Sequence, residues 1–162
     1  MREKVGIYPG SFDPITNGHL DILTRGLELF DTVVIAIGYN IEKQGLFTVE
    51  ERKELIRQSV KGDGRVIVDG FQGLLVDFVR KLEARFVIRG LRAMSDFEFE
   101  FQTASMNRNL NPDMDTIFMM TGKDYFFVSS RTIKEVASFG GSVHGWVPEV
   151  VEKALKEKFK GL

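Results

Sequence analysis

Cysteine is absent from the 162-residue sequence, which excludes a disulfide framework, thiolate metal ligands and thiol nucleophiles. Its absence is compatible with the cytoplasm, the location expected for this chain. Long hydrophobic runs are missing too. The longest uninterrupted apolar stretch is Val33 to Ile37, far below the ~20 residues that span a bilayer, and the apolar start of the chain is cut by Pro9 and Gly10. Neither a membrane segment nor a signal peptide is expected. Charge of one sign is not in excess: 22 Lys plus Arg stand against 23 Asp plus Glu. A net charge of -1 gives no global attraction to nucleic acid or to an anionic membrane, so recognition of an anion must be local. What remains is 43% hydrophobic and 28% charged residues at a mean hydropathy of -0.08, the composition of a water-soluble globular protein. The length suits a single domain, 1–162.

Short apolar runs alternate with helical periodicity along the chain. Val5 to Tyr8, Thr32 to Gly38, Arg65 to Asp69, Arg85 to Arg89 and Asp115 to Met120 carry the β-branched and aromatic content of buried strands. Between the first two, Leu20, Leu23, Leu27 and Phe30 recur at spacings of three and four, predicting a helix from Asn17 to Phe30. Thr48 and Glu51 form a capping box for a helix to about Val60, and Ser95 with Glu98 predicts another for a helix to Asn109. Leu74 to Leu82 reads as helix, Ser129 or Ser130 as the cap of a short helix to about Phe139, and Pro148 as the start of a terminal one. Five strands each followed by a helix predict an α/β fold: a Rossmann-like, doubly wound five-stranded parallel sheet with helices on both faces. Ligands of such sheets sit beyond the carboxyl ends of the strands, which directs attention to residues 9–19, 39–47, 90–96 and 121–130.

The first of these loops contains neither a P-loop nor a dinucleotide fingerprint. Gly10 lets a ligand approach the backbone, and Gly18-His19 at a helix start sets an imidazole among free amides. Read residue by residue, the loop is equally a Pro/Gly turn with a satisfied histidine. Lys43 alone is equally a solvated lysine, Arg89 and Arg92 suit ion pairs with Asp96 and Glu98, Ser129 and Ser130 suit plain capping, and Leu74 and Leu75 suit core packing.

As a whole, Tyr8-Pro-Gly-Ser-Phe-Asp-Pro-Ile-Thr-Asn-Gly-His19 resembles the T/HxGH signature of the nucleotidyltransferase superfamily, in the form typical of phosphopantetheine adenylyltransferases, with Thr16 at the first histidine position. Phe47 to Arg52, Ile88 to Ala93, Asp96 to Glu100, Met106 to Arg108 and Val128 to Ser130 follow in that family's order and spacing, so the resemblance covers essentially the whole chain. It implies transfer of the adenylyl group of ATP to 4′-phosphopantetheine, giving dephospho-coenzyme A and pyrophosphate by direct in-line attack without a covalent enzyme intermediate. It further implies Mg²⁺ arriving with ATP, a cytoplasmic homohexamer built as a dimer of trimers, and no nucleic-acid or membrane partner.

By the same resemblance His19, Lys43 and Arg92 are the catalytic residues. ATP would meet Ser11, Phe12, His19, Gly90, Leu91, Arg92, Glu100 and the run Tyr125, Phe126, Phe127, Val128, Ser129, Ser130 and Arg131. The acceptor would meet Ser11, Lys43, Leu74, Leu75, Arg89 and Asn107. Gln44, Thr103 and Arg131 depart from the family pattern, and Ser11 stands for its frequent Thr. No protein metal site is expected: the two histidines are His19 and His144, and Asp13 stands alone in its loop. Two other functions use the same signature: a nicotinate or nicotinamide mononucleotide adenylyltransferase, against which Thr16 counts, and a non-catalytic adenine-nucleotide sensor, against which the retained cations count.

Overall fold

A computed structural model describes residues 3–39 and 45–160. The five apolar runs form strands β1 (Val5–Gly10), β2 (Thr32–Gly38), β3 (Val66–Phe71), β4 (Phe86–Leu91) and β5 (Asp115–Met120), paired parallel throughout in the order β3-β2-β1-β4-β5. Between and after them run helices α1 (Asn17–Gly26), α2 (Val49–Ser59), α3 (Leu75–Lys81), α4 (Met94–Leu110), α5 (Ser130–Ser138) and α6 (Glu149–Phe159). Alternation along β2 divides the core: Val33, Ile35 and Ile37 pack with Ile22, Ile56, Ile133 and Leu155 on one face, while Val34 and Ala36 pack with Val76 and Val79 on the other. Helices therefore cover both faces, as the alternation of elements predicts. Strand order reverses direction around β1, between β2 and β4, and the carboxyl ends there form the crevice where this architecture binds ligands.

Several boundaries differ from the sequence reading: β1 runs on through Pro9 to Gly10, pairing with Ala36 and Ile37, and β4 spans Phe86–Leu91 rather than Arg85 to Arg89. The first helix closes at Gly26 rather than Phe30, because the amides of Leu29 and Phe30 both turn back to the Gly26 carbonyl. Leu27 and Phe30 still face the core, so apolar spacing persists past the last helical turn. Strand β3 continues to Phe71 because Gly70 and Phe71 pair with Ile37 and Gly38. The Ser95–Glu98 box does not form: α4 begins at Met94 with Ala93 as its cap, and Asp96 turns instead to the amide and guanidinium of Arg92. The Thr48–Glu51 box is present in both directions, at 3.2 and 2.7 Å.

Gly6 marks where β1 and the Phe30 turn approach most closely. A Cβ there would lie 2.8 Å from Phe30 Cδ2 and 3.1 Å from Ile88 Cδ1, both buried. Gly6→Ala is expected to destabilise the fold by about 1–3 kcal/mol through overpacking, read as a lower denaturation midpoint at unchanged m-value. An unaltered midpoint would show that the ring moves aside freely.

Candidate active site

His19 takes its place from the cap of α1. Thr16 is the N-cap, and its hydroxyl accepts the His19 amide at 3.3 Å while the Thr16 amide donates to His19 Nδ1 at 3.0 Å. This is a capping box with histidine in the position usually held by Glu or Gln, which gives a physical reason for the three-residue spacing of Thr16 and His19. An amide can only donate, so Nδ1 is the acceptor and the ring proton resides on Nε2. Burial lowers the imidazole to about 4, with Arg92 and then Arg89 adding to the effect. His19 is therefore a neutral Nε2–H donor at neutral pH, not an imidazolium. Gly18 beside it lets α1 pack against Tyr125, whose Cβ lies 3.3 Å from where a Gly18 Cβ would be.

His19 lines a cavity of about 500 Å³ over the carboxyl ends of β1 and β4. Its rim carries three arginines in different states. Arg89, at the end of β4, donates to both Glu100 carboxylate oxygens and, at 2.7 Å, to the Pro9 carbonyl. Burial opposes the Arg89 charge, but the Glu100 carboxylate overrides it and holds the guanidinium protonated. Arg92 pairs with Asp96 at 3.2 Å. Arg131 is exposed, in the first turn of α5. Burial also raises the Tyr8 phenol, which packs near Phe12 and His19 and stays protonated.

A second cavity, of about 1050 Å³, opens beside the first and shares Ser11, Ser130 and Arg131 with it. Its floor is a buried charge cluster. Asp13 accepts the amides of Leu46 and Phe47 and the Lys134 ammonium, all at 2.9 Å, and lies 3.4 Å from Arg52 Nε. Arg52 in turn donates to the carbonyls of Phe47 and Ser11 at 2.8 and 3.2 Å. One carboxylate thus joins the first loop, the segment before α2, and helices α2 and α5.

The first cavity gathers Ser11, His19, Arg89, Gly90, Arg92, Glu100, Val128, Ser129, Ser130 and Arg131 of the predicted residues. Phe12 is buried beneath it at a φ of 45°, in edge contact with His19. Leu91, Tyr125, Phe126 and Phe127 line neither of these two cavities, and Phe127 is 91% exposed. Leu74 is exposed next to Gly73 of the second cavity, Leu75 packs against the core beneath α3, and Asn107 is half-buried on α4 away from both cavities. Lys43 and Gln44 lie outside the described residues. Ser129 is the N-cap of α5, accepting from the Thr132 amide, whereas the Ser130 hydroxyl donates to the Pro14 carbonyl at 2.7 Å. Arg92 takes the Asp96 partnership suggested by proximity, while Arg89 reaches eleven residues on to Glu100. The sequence reading did not select Tyr8, Thr121 or Asp96 as site residues. Thr121 directly follows β5, so the strand-end rule could have found it.

The doubly wound sheet thus sets a neutral imidazole and guanidinium groups around one crevice at its strand ends, an arrangement suited to binding anions. The cytidylyltransferase-like family model matches residues 7–136. The chain is 57% identical over 155 residues to the phosphopantetheine adenylyltransferase of Anaeromyxobacter sp. strain K, covering 96% of this chain and 94% of the relative. It is 53% identical over 159 residues to that of Syntrophotalea carbinolica, covering 98% and 96%. The chain belongs to the phosphopantetheine adenylyltransferase family. Among solved structures, a chain from Vibrio parahaemolyticus provisionally named nicotinate-nucleotide adenylyltransferase superposes with a TM-score of 0.73 at 18% identity, covering 98% of this chain and 95% of its own. A bifunctional NMN adenylyltransferase/ADP ribose pyrophosphatase from Francisella tularensis, complexed with AMP and a manganese ion, does so at 0.72 and 16%, covering 98% of this chain and 50% of its own. At these identities the likeness concerns the fold alone.

Proposed function

We propose that this chain transfers the adenylyl group of ATP to 4′-phosphopantetheine, releasing pyrophosphate and forming dephospho-coenzyme A. The observation that carries this reading is the His19 ring, fixed by Thr16 so that its protonated nitrogen remains for a crevice walled by arginines. Both reactants are phosphates, so the protein's work is to bring anions together, align the attack and stabilise charge on the departing group. An acceptor phosphate oxygen forms the new bond to the α-phosphorus as the bond to the bridging oxygen breaks, and the electron pair leaves with pyrophosphate. Nε2–H of His19 donates to the phosphoryl oxygens in that transition state, with Lys43 and Arg92 as the other catalytic groups. Ser11 presents a hydroxyl to both reactants. Glu100 fixes the Arg89 guanidinium plane, leaving Arg89 to orient the acceptor phosphate. The adenine side is residues 125–131 together with Gly90 and Leu91, and the pantetheine arm runs toward Leu74, Leu75 and Asn107.

Magnesium fits this site as an ion carried by the nucleotide. Among the described residues no group of three or more His, Cys, Asp and Glu side chains could cage it, and the cavity carboxylates Asp96 and Glu100 are each engaged by an arginine. Asp13, on the floor of the second cavity, is likewise taken by Lys134 and backbone amides. When bound, the ion would shield the triphosphate oxygens. Among the described residues no helix is long and apolar enough to cross a membrane. We read the location as cytoplasmic and the assembly as a homohexamer; exposed Phe97, Phe99, Phe101 and Met106 on α4 support self-association, and sedimentation of the purified chain tests it.

The reaction is tested by pyrophosphate release from ATP across a panel of acceptor phosphates. Release with 4′-phosphopantetheine and none detectable with nicotinamide mononucleotide is expected. Faster release with the mononucleotide would replace this reading by the pyridine-nucleotide one, and tight ATP binding without turnover on any acceptor would replace it by a sensor.

A further inference from the structure

Strand β5 is an edge of the sheet, so the backbone where it ends has a neighbouring strand on one side only. Pairing with β4 stops at Leu91 and Met120, and just beyond it the Leu91 carbonyl accepts the Thr121 amide at 2.9 Å and the Thr121 hydroxyl at 3.1 Å. Helix α1 serves the groups beside these. Asp21 accepts the Gly122 amide at 3.0 Å, and Arg25 donates to the Met120 carbonyl at 2.6 Å and to the Asp21 carboxylate at 3.2 Å. From Gly122 the bonds continue in series: its carbonyl accepts the Tyr125 amide at 2.9 Å, and the Tyr125 carbonyl accepts the Val128 amide at 3.1 Å. Val128 lines the first cavity, whereas Asp21 lines neither of the two large ones. Asp21 follows His19 by two residues, about 200° around a helix, so the two side chains leave α1 on opposite sides.

We infer that Asp21 is a positioning residue for the nucleotide: by orienting the Gly122 peptide, its carboxylate sets the two turns that bring residues 125–128 to the cavity wall. The inference rests on the proposed function, which places adenine against that segment, and adds a residue that touches neither reactant. The amide of a turn takes whatever acceptor it finds, water included. A carboxylate held on a packed helix fixes the peptide plane, which water does not, and a bond to a charged acceptor is the stronger kind. Glycine at 122 makes that tie necessary, because without a Cβ its own backbone is poorly restricted. The turns share peptide units, so rotation at Gly122 displaces the acceptor of the Tyr125 amide and, through it, that of the Val128 amide. A wall ordered beforehand spares the nucleotide the entropy of ordering it on binding. The acceptor phosphate meets Arg89 instead, which Glu100 and the Pro9 carbonyl hold independently of Asp21, so the effect falls on one reactant.

Calorimetric titration of the purified chain with AMP, ATP and 4′-phosphopantetheine, beside amide hydrogen exchange, tests this. Asp21→Ala is expected to weaken AMP and ATP by about 10-fold, the loss of one charge-assisted hydrogen bond, and to leave 4′-phosphopantetheine unchanged. Exchange at the Gly122, Tyr125 and Val128 amides should quicken in the same variant. In turnover the KM for ATP should rise by more than kcat falls, because the reacting groups are untouched. Asp21→Asn keeps an oxygen for the Gly122 amide and should restore most of the affinity. Arg25→Leu removes the ion pair but not the Gly122 bond, so its AMP affinity should stay near that of the unaltered chain. The Asp21 side chain is 25% exposed and its pair with Arg25 is a surface one, so the fold tolerates these changes, and a matching thermal midpoint verifies it. Unchanged AMP affinity in Asp21→Ala, equal weakening of 4′-phosphopantetheine, no recovery in Asp21→Asn, or a loss in Arg25→Leu as large as in Asp21→Ala would each overturn the assignment. Failure of the unaltered chain to use 4′-phosphopantetheine would instead sink the proposed reaction, while AMP titration still judges Asp21.

Discussion

Replacing His19 with alanine is expected to lower turnover by about 10²–10³, the usual effect of removing one positioned donor from a developing charge, while ATP binding changes far less. The geometry adds a second consequence. His19 is also the capping-box partner of Thr16, and α1 would lose that bond, at about 0.5–2 kcal/mol by comparison with other caps. A His19→Gln variant separates the two, because glutamine can return a side-chain oxygen to the Thr16 amide. If the rate falls in both variants but stability only in alanine, the donor role and the cap role are distinct. The pH dependence follows from the lowered imidazole. A ring held at about 4 does not titrate near 6.5, so its nitrogen resonances should remain those of the Nε2–H form through that range and change only near 4. The unfolded chain takes up this proton at the ordinary value and the folded chain does not. This group therefore withdraws stability as pH falls from 6.5 toward 4. Near-normal turnover by a folded His19→Ala protein would remove His19 from the mechanism, and an imidazole titrating at 6.5 would remove the neutral-donor argument.

Much of the fold was legible because its signals are local. Strands announce themselves by β-branched runs, and Thr48 to Glu51 carries a helix start within four residues. Gly18-His19 was placed correctly at a helix start, yet the capping box with Thr16 and the neutral state of the ring were hidden. That state depends on burial and on Arg92 and Arg89, which are distant in sequence. The Ser95–Glu98 box failed for a reason of the same kind: Asp96 has a better partner in Arg92, and the helix begins two residues sooner, with Ala93 rather than Ser95 as its cap. The partnership of Arg89 with Glu100 required β4 and α4 to be folded against each other. Residues chosen by resemblance for the pantetheine arm are dispersed over α3 and α4, where no large cavity joins them among the described residues. The second cavity was legible only in part: residues of the loops at 9–19 and 39–47 line it, but its contributions from the end of β3 and from Arg52 and Lys134 were not anticipated. It is built from the first loop, the segment before α2, β3 and α5, and no stretch of sequence carries its outline.

Asp13 illustrates that gap with the largest expected effect on stability. Asp13 and Arg52 are 39 positions apart, Asp13 and Lys134 121 apart, so nothing local marks the cluster. Burial alone would raise the Asp13 carboxyl. The Lys134 ammonium, the amides of Phe47 and Leu46, and then the Arg52 guanidinium outweigh it and hold the carboxyl below its ordinary 3.8. Asp13→Asn keeps the shape but removes the charge, leaving Arg52, 7% exposed, without its counter-ion and turning an amide nitrogen toward donors. Breaking a buried pair from one side costs about 3–5 kcal/mol, most of it the uncompensated charge left behind. For a chain of this length each kcal/mol moves the thermal midpoint by about 2–4 °C, so a fall of roughly 6–20 °C is expected. Lys134→Met should cost less, because Arg52 and two amides still serve the carboxylate. The sign of the pH dependence follows from the lowered carboxyl. Its stabilisation is fully present above 3.8 and is lost as pH falls through the folded value below it, so the Asp13→Asn penalty should shrink on acidification into that range. Thermal denaturation of both variants across acidic and neutral pH measures all three. A loss below about 1 kcal/mol for Asp13→Asn, or a penalty that grows as pH falls, would show that the amides of Leu46 and Phe47 hold these segments without help from the charge.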